Sequence, residues 1–89
     1  MSVWIDWSLD GVGSAGEEVE DVAAAVRAVE ISVERARRAF ETDSQWRTLR
    51  RAADRMQARM LDEGRKALAR GEGWGTTIEG VHVRLEPRE

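Results

Sequence analysis

Valines and their apolar companions at positions 19, 22, 26, 29, 33, 36 and 40 recur in steps of three and four through three heptads, which places Val19, Val22, Val26, Val29, Val33, Ala36 and Phe40 on one narrow seam. Such a seam predicts a helix that packs lengthwise against a partner helix. The rhythm breaks between Phe40 and Trp46, where the step is six residues and the run Thr42-Asp43-Ser44 favours caps over helix interiors. It then resumes at Trp46, Leu49, Ala53, Met56 and Met60. Thr42 followed by Gln45 reads as a capping box. So short a break predicts two helices folded back on one another, over 17–41 and 43–70. The alternative is one continuous helix from 17 to 70, which would have to dimerise. Glu63 stands where the seam should next be occupied, and Gly64 costs about 1 kcal/mol relative to alanine, so the second helix is expected to weaken there before Ala67 and Leu68.

The ends of the chain follow a different period. From Val3 to Leu9 apolar and polar residues alternate, with Val3, Ile5, Trp7 and Leu9 on one face and Trp4, Asp6, Ser8 and Asp10 on the other, predicting a strand over 3–9. A glycine-rich loop is expected over 10–16, and Glu17, Glu18, Glu20 and Asp21 place negative charge where a helix N-terminus favours it. After helix 2, a second glycine-rich loop over 71–75 holds Trp74, and a strand over 76–86 carries Val81, Val83 and Leu85 on one face and His82 and Arg84 on the other. Ile78 joins the apolar face only through a bulge near Gly80. The expected fold is thus one α+β domain, an antiparallel two-helix hairpin with a coiled-coil-like seam. Its terminal strands pair with each other or across a dimer.

Composition narrows the chemistry. The absence of cysteine removes disulfides and thiolate sites, and the lone His82 cannot build an ordinary zinc site without several carboxylates. No cofactor or metal is therefore expected. The sequence shows neither a secretory leader pattern nor an apolar run near the roughly 20 residues that span a bilayer, so a cytoplasmic protein without membrane contact is expected. Thirteen arginines against one lysine, with no asparagine or tyrosine, fit either a GC-rich coding sequence or a designed scaffold without natural activity.

Four features could carry function. Gly11-Val12-Gly13-Ser14-Ala15-Gly16 spells G-x-G-x-x-G between a predicted strand and helix, but Asp10, Glu17 and Glu18 would repel a phosphate there, and a second helix follows where a dinucleotide fold needs a parallel strand. A flexible loop is the expected reading. His82 could act as a base oriented by Asp6, although no recognisable nucleophile motif accompanies it, which favours a surface histidine. Charge is strongly segregated: residues 1–34 hold eight acids and one base, and 35–59 hold eight bases and three acids. A hairpin would bring Arg35, Arg37 and Arg38 near Arg47, Arg50 and Arg51, a tip able to grip phosphate, although Glu34, Glu41, Asp43 and Asp54 are spaced to pair with those arginines. Finally, Trp7 and Trp46 fall on apolar faces while Trp4 and Trp74 do not, and displaced tryptophans are frequent interface anchors.

The expected function is therefore non-enzymatic: a protein interaction or oligomerisation module, forming a homodimer or meeting a protein partner through Trp4, Trp74 or the arginines Arg47, Arg50 and Arg51. Phosphate or nucleic-acid binding through the arginine tip is the alternative.

Overall fold

Side-chain alternation at the N-terminus starts the sheet. In the computed structural model, which describes residues 2–88, β1 (Ser2–Leu9) turns Val3, Ile5 and Leu9 into the core and leaves Asp6 and Asp10 exposed. Its continuation departs from the expected loop. The chain turns over Leu9–Val12, with the Val12 amide donating to the Leu9 carbonyl at 3.0 Å and Gly11 at φ +75°, a conformation glycine adopts without a Cβ clash. It then returns as an edge strand, β2 (Gly13–Val19), antiparallel to β1 with Ile5 opposite Glu17 and Val3 opposite Val19.

Helix α1 (Val22–Ala36) consequently starts five residues later than the acidic run suggested. Asp21 is its N-cap, and the Asp21 carboxylate accepts the Ala24 amide at 2.8 Å. Of the seven seam residues, Val22, Val29, Val33 and Ala36 are buried in α1, Val26 is half-buried, Val19 belongs to β2, and Phe40 lies beyond the helix. A 3₁₀ turn, Arg37–Ala39, and an extended Phe40 separate α1 from α2 (Asp43–Arg59), so one continuous helix is excluded. Thr42 caps α2, its hydroxyl accepting the Gln45 amide at 3.2 Å.

The second helix leaves α-helical geometry at the expected place without ending there. A π-helical turn, Met60–Gly64, continues directly into α3 (Arg65–Ala69). One extra residue in that turn rotates Glu63 outward and makes Gly64 the buried position after Met56 and Met60. Gly64 presses on the sheet: a Cβ there would stand 3.1 Å from Leu85 Cδ1 and 3.6 Å from Trp74 Cε3.

The C-terminal segment is a hairpin, where one bulged strand was expected. β3 (Trp74–Ile78) and β4 (Val81–Arg88) are joined by Glu79 (φ +42°) and Gly80 (φ +86°), a two-residue turn with both central residues at positive φ, the type I′ pattern. This pairs Ile78 with Val81 and brings it into the core without a bulge. β4 also pairs antiparallel with β1, Ile5 opposite Leu85. The sheet order is β2-β1-β4-β3, fully antiparallel, and with the helices the fold is α+β.

One core unites the layers. Ile5, Val81 and Leu85 from the sheet meet Val29 and Ala25 from α1 and Ala52, Ala53, Met56 and Met60 from α2 and its π turn, all fully buried. The seam therefore closes on the sheet as well as on the neighbouring helix, and alanines outside the valine series allow that close approach. The helices cover the face bearing the odd-numbered residues of β1 and β4, so the opposite face is open.

Candidate functional site

The open face of the sheet is built from the polar half of each strand's alternation: Trp4, Asp6 and Ser8 on β1, Ser14, Gly16 and Glu18 on β2, His82, Arg84 and Glu86 on β4, and Gly75 and Thr77 on β3. Short residues at its middle leave a shallow trough of about 770 Å³. Its floor carries Asp6, Ser8, His82 and Arg84, and Ser14, Gly16, Gly75 and Thr77 form its rims.

His82 organises one end of this trough. Its Nδ1 lies 2.9 Å from the Thr77 hydroxyl and its Nε2 lies 2.9 Å from Asp10 Oδ1. With Nε2–H donating to Asp10, Nδ1 accepts the Thr77 hydroxyl hydrogen. The carboxylate partner is thus Asp10, where the sequence suggested Asp6; Asp6 sits opposite Arg84 in the next register position. The Asp10 amide also donates to the Gly80 carbonyl at 2.9 Å, so this cluster joins the β1–β2 turn to the β3–β4 turn. Asp10 was read in the sequence only as a charge beside the glycine-rich stretch, and Thr77 was not singled out, because their proximity to His82 depends on the hairpin at Glu79-Gly80.

Trp4 lies half-buried across β2. Gly16 lets it do so, since a Cβ at Gly16 would stand 2.9 Å from Trp4 Cζ2 and 2.7 Å from Asp6 Oδ1, and the Arg88 guanidinium sits 5.4 Å from the Trp4 ring. Trp74 is different: it faces the helices, half-buried against the core above Gly64. The three glycines of the G-x-G-x-x-G string thus serve a turn, a strand start and the seat of an aromatic ring. The second and third lie within β2, which stands where a loop leading into a helix was expected.

The arginines are not gathered into one phosphate clamp. Arg50 is held by Glu34, Glu30 (3.4 Å) and Asp54 (3.3 Å), and although burial works the other way, Asp54 and Glu34 raise its pKa. Arg37 stacks on Trp46 at 5.0 Å and approaches Asp43 at 3.6 Å. Arg51 lines a groove with Thr48, Asp54 and Glu79, Arg35 lines another with Leu9 and Val12, and Arg47 is exposed. Arg35, Arg38, Arg47 and Arg51 form no ion pair among the described residues.

Beneath β3, Arg59 grips Glu63 through Nε at 2.7 Å and also reaches the Thr76 hydroxyl at 3.4 Å. The bond to Arg59 holds the Glu63 carboxyl below the usual carboxylate range. Among the described residues no cluster of three or more histidine and carboxylate side chains could hold a metal ion, and no helix is long and apolar enough to cross a membrane.

No protein-family model matches the chain, and no significant match is found among curated proteins or solved structures.

Proposed function

We propose that this chain is a non-enzymatic interaction and oligomerisation module in which α1 and α2, as an antiparallel hairpin, stiffen a sheet that other protein docks against. The observation that carries this reading is the one-sided cover of the sheet: two helices close one face, while the other face and both edge strands, β2 and β3, have no partner among the described residues. Free edges offer rows of main-chain donors and acceptors, and proteins that remain monomeric commonly blunt them with charged side chains, lysine above all, with proline or with a bulge, of which β2 carries only the charges of Glu17 and Glu18. Neither edge here contains lysine or proline. Trp4, displayed on the open face, adds an aromatic anchor. Mass in solution tests the reading: light scattering across a hundredfold range of concentration should show a mass above that of one chain at the upper end. A strict monomer throughout would count against self-association and leave only a foreign partner.

Phosphate or nucleic-acid binding is the second reading, favoured by Arg35, Arg38, Arg47 and Arg51 near the α1–α2 connection, which form no ion pair among the described residues. Replacing Arg47 and Arg51 with glutamine should then reduce retention on a polyanion column, with a dependence on salt that becomes shallower by about one log unit per lost contact. Unchanged retention would remove this reading. Arg50 is excluded from that pair because its three carboxylates already engage it.

A further inference from the structure

We infer that the partner of the free β2 edge is the free β3 edge of a second copy, so that molecules add head to tail into one continuous antiparallel sheet. The inference rests on the oligomerisation reading above and specifies its geometry.

Main-chain parity comes first. The Asp10 amide donates to Gly80, and this hydrogen-bonded pair extends the β1–β4 register by one step beyond Leu9 opposite Val81. In an antiparallel ladder such pairs alternate, so the even residues of β1 bond toward β4 and its odd residues bond toward β2. On β2, Gly13, Ala15, Glu17 and Val19 are therefore satisfied by β1, and the N–H and C=O groups of Ser14, Gly16 and Glu18 point out of the sheet. The same alternation carried across β4 leaves those of Gly75 and Thr77 pointing outward from β3.

Direction and side chains then select one pairing. β2 and β3 run in opposite senses, so a second copy in the same orientation presents an edge that pairs antiparallel, with its helices on the same side. Setting Glu18 opposite Gly75 and Gly16 opposite Thr77 matches both outward residues of β3 and two of the three on β2, leaving Ser14 beyond the end of β3. It also puts Val19 against Trp74 and Ala15 against Ile78 on the helix side. On the open side Glu18 faces a glycine, across which Arg84 is the next side chain. On the helix side Glu17 faces Thr76, the residue that Arg59 already touches. Glu17 and Glu18 have no cation partner among the described residues. Arg59 and Arg84 each hold a carboxylate, but a guanidinium has donors for more than one.

The symmetric alternatives lose this complementarity. A β2–β2 contact joins two strands that carry Glu17 and Glu18 and no cation, and a β3–β3 contact joins two edges flanked by Arg59 and Arg84 without meeting the unpaired glutamates. Width also fits, because two helices about 10 Å across cover four strands about 4.8 Å apart, so neighbours in a continuous sheet carry a continuous helix layer. A head-to-tail contact does not close on itself as a dimer does, so growth continues past two copies.

Sedimentation velocity on the intact chain is the test, at rising concentration and at low and high salt. The expected result is a mass that climbs past the dimer and falls back at high salt. Thr77→Pro, which caps the outward amide on an edge where proline is tolerated, should hold the protein at or below the dimer. Glu18→Arg should do the same, and adding Arg84→Glu to it should restore growth. Circular dichroism confirms that each variant remains folded. A closed dimer of fixed mass, or growth indifferent to Thr77→Pro and Glu18→Arg, overturns the head-to-tail inference and leaves oligomerisation standing. A monomer at every concentration overturns both.

Discussion

Replacing Leu85 with alanine should lower the unfolding free energy by about 3 kcal/mol, within the range for buried leucines. For a domain of this size that corresponds to a drop in Tm of more than about 10 °C. Leu85 is fully buried on a central strand, between Ile5 on β1 and Trp74 on β3, with its Cδ1 against the π turn at Gly64. The neighbours cannot collapse easily into the space, because a strand pairs on each side of β4 and the helix at Gly64 already lies so close that a Cβ there would stand 3.1 Å from Leu85 Cδ1. A coupled effect distinguishes this account from simple loss of apolar surface. Gly64→Ala alone forces Leu85 to yield a few tenths of an ångström, whereas in the Leu85→Ala background the new methyl group enters the vacated space. The Gly64→Ala substitution should therefore be more favourable by about 1 kcal/mol in the second background than in the first. Urea unfolding followed by tryptophan fluorescence measures all four corners of the cycle. Additive effects, or a Leu85→Ala cost below about 1 kcal/mol, would show that the contact at the π turn has been misread.

The parts of this fold that announce themselves are those with one buried face and a full complement of partners. β1, with its strict alternation, and α1 and α2, with their heptads, each bury one side, and burial is what writes periodicity into a sequence. Thr42 could be placed as a cap because capping is local. β2 is the opposite case. Gly13 to Glu18 are exposed, an edge strand exposed on both faces has no apolar alternation to show, and its small and acidic residues read as a loop running into a helix N-terminus. The β3–β4 hairpin was hidden by Glu79, since positive φ at that position is normally signalled by asparagine, aspartate or glycine. Gly64 was read as a weakness because a fixed heptad places Glu63 inward, and only a π turn moves the register by one residue. At the candidate site the faces of Trp4, His82 and Arg84 were legible from alternation. The partners that meet across elements were not: Asp10 reaches His82 because two turns meet at one end of the sheet, and Arg50 is drawn to Glu30 and Glu34 on α1, whereas Asp54, four residues beyond Arg50 on its own helix, was legible as its partner.

The junction between the two helices supplies the second large effect. α1 tightens into a 3₁₀ turn at its end, so the Arg37 amide donates to Glu34 and no longer to Val33, which would be its α-helical acceptor. The Val33 carbonyl is instead taken by the Trp46 indole Nε1–H at 2.9 Å. One side chain on α2 thereby completes the hydrogen bonding of α1 while its half-buried ring carries Arg37 at 5.0 Å. Trp46→Phe preserves an aromatic ring but leaves that partly buried carbonyl without its donor, for an expected cost of about 1 kcal/mol. Trp46→Ala removes the ring as well and should cost about 3 kcal/mol, the low end for a large aromatic because Trp46 is only half-buried. The two variants should also differ in where they loosen the chain. Hydrogen exchange in the phenylalanine variant should accelerate at the amides of Arg37 to Phe40, because the 3₁₀ turn loses the contact that fixes it, while β1 and β4 retain most of their protection. A phenylalanine variant with wild-type stability and wild-type exchange at that turn would mean that water satisfies Val33 equally well. The two helices would then be joined by packing and by the ion pairs of Arg50 with Glu30 and Glu34.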